Sequence, residues 1–292
     1  MSEKLVEQLY ELIRSASTEL PPDIEQALRE AGRQEPAGGM AANTFGAILD
    51  NVGMARQAVT PICQDTGYLI FYVYHPVGID TLAFRRSIDA AAEKATKAIL
   101  LRPNAVDPIT GKNTGTNVGT NAPYVTFKAW ERDEIRVKLM LKGGGSENVG
   151  AQYKLPDTAL GAGRDLKGIR RCVLDAVYKA QGQGCAPGII GVGVGGDRAT
   201  SYLLSKEQFF RHLGSANEDP QLDAFEKELH ADLNQLGIGP MGFGGKTTVL
   251  GVFVAKQHRH PATFYVAVSY MCWACRRKEM TLTNGEAAYD QA

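Results

Sequence analysis

The chain has no excess of either charge: Lys plus Arg total 32 and Asp plus Glu total 32 among 292 residues. A protein that coats nucleic acid or an anionic membrane needs surplus basic charge, so neither partner is expected. No apolar run approaches the roughly 20 residues that cross a bilayer. The opening stretch, Met1 to Leu9, is charged and amphipathic and lacks the apolar core of a secretion signal. A soluble, cytoplasmic protein is the expectation. No internal repeat, low-complexity segment or linker breaks the chain, so 1–292 reads as a single domain with a helical section over about 1–60. Cysteine is scarce and odd in number: Cys63, Cys172, Cys185, Cys272 and Cys275. With no export signal, a disulfide framework is not expected, and metal or catalytic roles gain weight.

What the chain does have is glycine. There are 32, many clustered at 143–145, 191–196 and 237–245. Clustered glycine marks backbone that turns sharply or approaches something closely. Between the clusters, apolar spacing predicts helices at the N-terminus (Leu5, Leu9, Leu12 and Ile13 on one face), after Pro21-Pro22-Asp23 with Gly32 as a stop, and over 44–58, 81–101, 165–180, 197–213 and 222–236. Strands are predicted over 68–74, 188–194, 247–255 and 262–271, with a hairpin from 124–129 and 135–141. Residues 103–122 read as a long ordered loop. The fold class is α+β, a helical N-terminal section followed by mixed or antiparallel sheets.

Gly191-Val192-Gly193-Val194-Gly195-Gly196 satisfies the dinucleotide fingerprint and follows a predicted strand. No second strand ending in an acidic residue appears about 20 residues on, as such a site requires. Gly245-Lys246-Thr247 resembles the end of a phosphate loop, but the spacing requires glycine at 240 and finds Pro240. Cys172 sits mid-helix beside Ile169, Val173 and Val177 and reads as a buried structural thiol. Cys63, Cys185 and Cys272 lie where elements give way to loops, next to glycine, proline or small residues. Arg276 and Arg277 add positive charge near the last, which lowers a thiol pKa. Cys272 and Cys275 form CxxC, so a four-thiolate zinc site with Cys63 and Cys185 is a rival, although structural zinc sites bring their thiols in two close pairs. His75, His212 and His230 read as turn or surface residues. His258-Arg259-His260-Pro261 suggests an anion site, an acid–base group or a polar turn.

Six motifs together carry a resemblance: Cys63-Gln64-Asp65-Thr66-Gly67, Leu101-Arg102-Pro103-Asn104-Ala105-Val106, Lys142-Gly143-Gly144-Gly145-Ser146-Glu147-Asn148, Gly237-Ile238-Gly239-Pro240 with Gly244-Gly245, His260-Pro261, and Cys272-Trp273-Ala274 followed by Arg276-Arg277. In this order they resemble the class I fumarase and L-tartrate dehydratase family, its α subunit or the N-terminal domain of its single-chain members.

The resemblance implies an oxygen-sensitive 4Fe-4S cluster on Cys63, Cys185 and Cys272. One iron lacks a protein ligand and is open to substrate as a Lewis acid. It assigns Gln64, Asp65, Arg102 and Gly145 to a C4-dicarboxylate substrate, with Arg102 clamping a carboxylate, and Asp65 and His260 to proton handling. Cys275 falls where the family usually has another residue. The family places its catalytic base and further cationic ligands in a second module, which implies a β subunit and a heterodimer or heterotetramer. The turns at 101–104 and 142–148 look most like the fumarase branch. Fumarate to (S)-malate is therefore the first expectation and L-tartrate to oxaloacetate the second. Mesaconate hydration and a non-enzymatic zinc module stand behind them.

Overall fold

The computed structural model describes residues 3–290. In chain order its elements are α1 (Glu3–Thr18), α2 (Pro22–Gln34), α3 (Met40–Ala58), β1 (Tyr68–His75), α4 (Thr81–Lys97), β2 (Tyr124–Ala129), β3 (Ile135–Lys142), α5 (Gly144–Asn148), β4 (Ala151–Lys154), α6 (Leu166–Ala180), β5 (Gly188–Val194), α7 (Arg198–Glu207), α8 (Pro220–Asn234), β6 (Val249–Lys256), β7 (Tyr265–Met271), β8 (Arg276–Thr283) and β9 (Glu286–Tyr289). The expected α+β class, with a helical opening and mixed sheets, is what is found. The chain divides into two compact units. The first is drawn from Met1–Pro22, Asp50–Gly144 and Ala274–Ala292, and the second from Asp23–Leu49 and Gly145–Trp273.

The first unit is a five-stranded sheet in the order β2-β1-β3-β8-β9. Leu69, Phe71 and Val73 of β1 and Val137, Leu139 and Leu141 of β3 share one core with Leu9, Leu12 and Ile13 of α1. Ala91, Ala92 and Ala95 make α4 thin enough to join that core. The expected hairpin of 124–129 with 135–141 does not form. β1 lies between its two strands, parallel to β2 and antiparallel to β3. Alternation shows that each segment is a strand, but pairing is decided by burial, and the apolar β1 is the strand that needs a neighbour on both edges. Helix α4 stops short of residue 101 because Ile99 takes a left-handed φ of 61° and Leu100 N–H bonds back to Ala95 O at 3.0 Å. That is a Schellman ending built on isoleucine instead of the usual glycine.

The second unit carries a four-stranded sheet, β4-β7-β5-β6. Helices α6 and α8 contribute Ile169, Val173, Val177, Leu222, Phe225 and Leu229 to its core. The glycines of the apparent dinucleotide fingerprint have a packing role here. A Cβ on Gly191 would lie 2.1 Å from Ser205 O, and one on Gly193 2.1 Å from Ser201 O. They let α7 lie directly on β5. The lysine of the apparent phosphate loop is likewise committed to packing. Lys246 Nζ donates to Gln34 O at 2.9 Å, and its N–H donates to the buried Glu35 carboxylate at 2.7 Å. Gly32 is not a helix stop, since α2 runs on to Gln34. Its missing side chain admits Phe45, whose Cβ would sit 3.0 Å from an added methyl.

Candidate active site

In the first unit, three segments meet at one end of the sheet. The 60–67 loop is tied down by Ile62 N–H to Ser17 O at 3.0 Å and by Asn51 Nδ2 to Ile62 O at 2.8 Å. Gly67, at φ 83°, passes so close to Lys142 that a Cβ would lie 2.6 Å from its carbonyl carbon. Thr66 Oγ1 accepts from Arg102 N–H at 3.0 Å and from Asn104 Nδ2 at 3.2 Å. Asp65 then spans the gap. Its Oδ1 accepts from Gly67 N–H at 3.1 Å and its Oδ2 from Gly144 N–H at 2.7 Å. Three separate motifs are thus locked together by one threonine hydroxyl and one carboxylate. Cys63 is half-buried on this loop, while Gln64 and Arg102 are exposed beside it.

In the second unit, Cys185 and Cys272 lie at matching ends of neighbouring antiparallel strands, Cys185 just before β5 and Cys272 just after β7. Trp273 N–H donates to Cys185 O at 3.2 Å, which joins the two turns. Cys185 has a left-handed backbone, φ 58° and ψ 66°, a conformation non-glycine residues hold only when their surroundings enforce it. Tyr270 lies near both thiols. Burial first, and then the nearness of Cys272 and Cys185, push its phenol well above the ordinary tyrosine range. It packs where Gly184 and Gly188 leave room, since a Cβ on either would lie within 2.6 Å of its ring or hydroxyl. Its buried hydroxyl has no hydrogen-bond partner among the described residues. The 239–242 loop supports this turn, with Gly182 placed where a Cβ would meet Met241 O at 2.6 Å.

The three expected ligands lie on turns, as their sequence context suggests. Cys272 is buried, and Cys63 and Cys185 are half-buried. Among the described residues no group of three or more His, Cys, Asp or Glu is gathered as a metal site. The second unit brings two of the three proposed ligands together, and Cys63 belongs to the first. Cys172 is a core thiol of α6, pushed up to about 12 by burial. Cys275, also buried, accepts from Arg277 Nη1 at 3.5 Å.

His260 lies on an exposed loop of the second unit, between β6 and β7. Its Nδ1 accepts from Ala262 N–H at 3.1 Å, which leaves Nε2 to carry the proton of the neutral ring. Arg259 Nη1 gathers the carbonyls of His260, Pro261 and Thr263, and Arg164 those of Leu155, Pro261 and Ala262. The arginine of the His-Arg-His motif is thus a scaffold for the loop. Gly145, exposed, opens the second unit's share of the glycine turn, and a Cβ on it would stand 3.5 Å from Gln183 O. His230 is half-buried instead of solvated, and burial lowers its pKa. A cavity of about 670 Å³ is lined by Tyr68, Asn104, Val106, Asn117 and Tyr124. None of the expected ligand or proton-handling residues lines it, so size alone does not identify the reaction site.

Sequence reasoning passed over two residues of this region, Arg276 as a buried side chain and Tyr270. The signal for Tyr270 was its place two residues before Cys272 at the end of an apolar strand. Arg276 had been noted only as local charge.

An α+β chain with thiols on two joined turns and a carboxylate-locked glycine turn belongs to a class that comparison with known proteins defines. A model described as fumarate hydratase (Fumerase) matches residues 6–281. The chain belongs to the fumarate hydratase family. A Geobacillus stearothermophilus protein named as a class I fumarate hydratase is 50% identical over 278 residues, covering 94% of this chain and 54% of its own. The chain therefore spans about half the length of that relative. A Methanocaldococcus jannaschii protein named as an L(+)-tartrate dehydratase subunit alpha is 36% identical, with 94% and 96% covered. The L(+)-tartrate dehydratase subunit alpha of Escherichia coli K12 is 32% identical, with 94% and 89% covered.

Proposed function

We propose that the chain is the α part of an iron–sulfur-dependent hydro-lyase that hydrates fumarate reversibly to (S)-malate. The observation that carries this reading is the pairing of Cys185 and Cys272 on two joined turns around a phenol with a free donor, in a chain of the fumarate hydratase family. Two thiols, a strained cysteine backbone and an unsatisfied buried O–H fit a sulfur-rich group, because a cluster's sulfurs accept hydrogen bonds. Cys63, from the Cys63-Gln64-Asp65 loop, is the third ligand in this reading.

A 4Fe-4S cluster bound to three thiolates supplies an iron with an open position, a Lewis acid for the substrate's hydroxyl. The chain's own residues do the rest. Arg102, whose guanidinium is exposed and unpaired among the described residues, clamps a substrate carboxylate. Gln64 donates beside it, and Gly145 leaves backbone open to the ligand. Asp65 is held by two backbone N–H groups, which fix its remaining lone pairs for proton handling. His260 presents Nε2–H from a braced loop and serves in proton handling. The chain acts as one functional module, in the cytoplasm, with a β subunit that completes the site.

L-tartrate dehydration is the second reading. It is favoured by two relatives named as tartrate dehydratase α subunits, nearly all of whose length this chain covers. The test is anaerobic production of the chain with its partner subunit and assay against fumarate, (S)-malate, both tartrates and mesaconate. Fumarate hydration with iron and acid-labile sulfide on the protein supports the first reading. Tartrate turnover alone would replace it with the second. A colourless protein with one zinc would sink both in favour of the zinc module.

A further inference from the structure

Arg276 is the first residue of β8 and is 1% exposed. A guanidinium stays protonated at any pH a protein meets, so its charge is carried into the interior. Buried charges are normally paired, because the cost of losing water exceeds what an unpaired site returns. The buried Glu226 follows that rule. Arg211 meets the buried Glu226 through two hydrogen bonds, and Lys138 meets Glu279 at 2.9 Å. Arg276 does not. It has no ion pair among the described residues, and its Nε and Nη1 are buried with no hydrogen-bond partner.

Its position limits what could supply the missing anion. Arg276 is registered opposite Leu141, two residues before Gly143. A Cβ built on Gly143 would lie 3.1 Å from Asp65 Oδ2 and 3.7 Å from Arg276 Nη2. The acid and the cation therefore flank the same glycine. Asp65 makes no hydrogen bond or ion pair with Arg276 among the described residues; its Oδ1 and Oδ2 accept from Gly67 N–H and Gly144 N–H. A side chain on Gly143 would fill the space between them. All these residues belong to the first unit, at the sheet end where the 60–67 loop, the 101–104 segment and the glycine turn meet.

We infer that Arg276 is a substrate-binding residue that receives one carboxylate of the C4-dicarboxylate beside the Gly143 turn, with Arg102 holding the other. The inference rests on the hydro-lyase reading. It adds a buried cation to a site that had only an exposed one, and an arginine offers the planar donor set that a carboxylate fits.

The test uses the anaerobically assembled complex with its partner subunit, as wild type, Arg276→Gln and Arg276→Lys. Succinate, a C4-dicarboxylate that cannot be hydrated, is the probe, titrated by calorimetry. Iron and sulfide are counted on the same samples. Loss of a charged hydrogen-bonding partner should weaken succinate binding roughly 10- to 100-fold in Arg276→Gln, and less in Arg276→Lys, which keeps the charge but not the planar donors. Iron and sulfide should stay at wild-type levels in both. Unchanged succinate affinity in Arg276→Gln overturns the inference while leaving the hydro-lyase reading intact. Loss of iron from both variants, or loss of fold in both, overturns it too, by making Arg276 a partner of the cluster or of the fold. A wild-type complex that binds neither succinate nor iron overturns the hydro-lyase reading and takes this inference with it.

Discussion

Tyr270 and Cys185 carry the two local irregularities around the paired thiols. The Tyr270 hydroxyl is buried and unpartnered, so in the metal-free chain it contributes a desolvation penalty with no bond to offset it. Tyr270→Phe should leave the metal-free chain as stable as wild type or stabilise it by about 1 kcal/mol. Urea unfolding of the metal-free protein checks this, and a clear loss of stability would reveal a partner for the hydroxyl. The five cysteines should separate just as plainly. A ligand must be a thiolate, and Cys172, pushed up to about 12 by burial, stays a thiol at neutral pH. Cys275 is engaged with Arg277. Iron and sulfide should therefore be lost in Cys63→Ser, Cys185→Ser and Cys272→Ser, and retained in Cys172→Ala and Cys275→Ser. Retention of a full cluster in any of the first three removes that residue from the ligand set.

At the scale of elements, the contact of α7 with β5 is the most sharply defined. Gly193→Ala would drive a methyl to 2.1 Å from Ser201 O, which is backbone and cannot rotate away. Overpacking of this kind costs about 1–3 kcal/mol or more, so thermal unfolding should come markedly earlier. A dinucleotide-binding role would instead predict a stable variant with altered cofactor affinity. Helix α8 offers a pH prediction through His230. Its folded pKa lies below the ordinary 6.5 because burial disfavours the charged ring. Between that lowered value and 6.5 the unfolded chain binds more protons than the folded one, so stability falls as pH drops through this window and is restored above it. Asp223, Glu226 and Lys227 line the cavity His230 borders, and its Nε2 meets Asn234 Nδ2 at 3.2 Å. His230→Asn should flatten the fall, as read by urea midpoints at pH 7.5 and 5.5.

These same elements show what the sequence disclosed and what it withheld. β5 was legible from end to end because Gly188 to Val194 is bounded by proline and glycine signals and is apolar throughout. The reason for its glycines was not, since Ser201 and Ser205, which need the space, reveal themselves only when α7 folds back. β8 was missed because Arg276-Arg277-Lys278-Glu279 is polar, and pairing with β3 on one edge and β9 on the other makes it a strand. A signal for the β8–β9 hairpin was present, however. Asn284-Gly285, both left-handed at φ 53° and 79°, is the dipeptide that favours such a turn. Of the candidate site, the motifs themselves were legible. Which of them touch was not, because Asp65 bonding to Gly144 and Thr66 to Arg102 are contacts over long stretches of chain.

For the molecule as a whole, the question is whether this chain alone can turn substrate over. Relatives of matching length are named as subunits, and the class I fumarate hydratase relative is nearly twice as long. Within the chain the proposed machinery is rich in binding groups and poor in bases. Arg102 and Arg276 offer hydrogen-bond donors and no acceptor. Asp65 spends two lone pairs on backbone N–H groups, and His260 spends Nδ1 on Ala262 N–H. Abstraction of a carbon-bound proton needs a base matched to its task and held in reach, and the proposed partner subunit supplies it. The isolated chain, reconstituted anaerobically, should therefore bind iron and sulfide and show only residual fumarate hydration. Titrating in the partner subunit should raise the rate by at least ~100-fold, the span general-base catalysis typically covers, and the rise should saturate at equal amounts of the two chains. Full activity from the isolated chain would place the base on it and make His260 the first residue to replace.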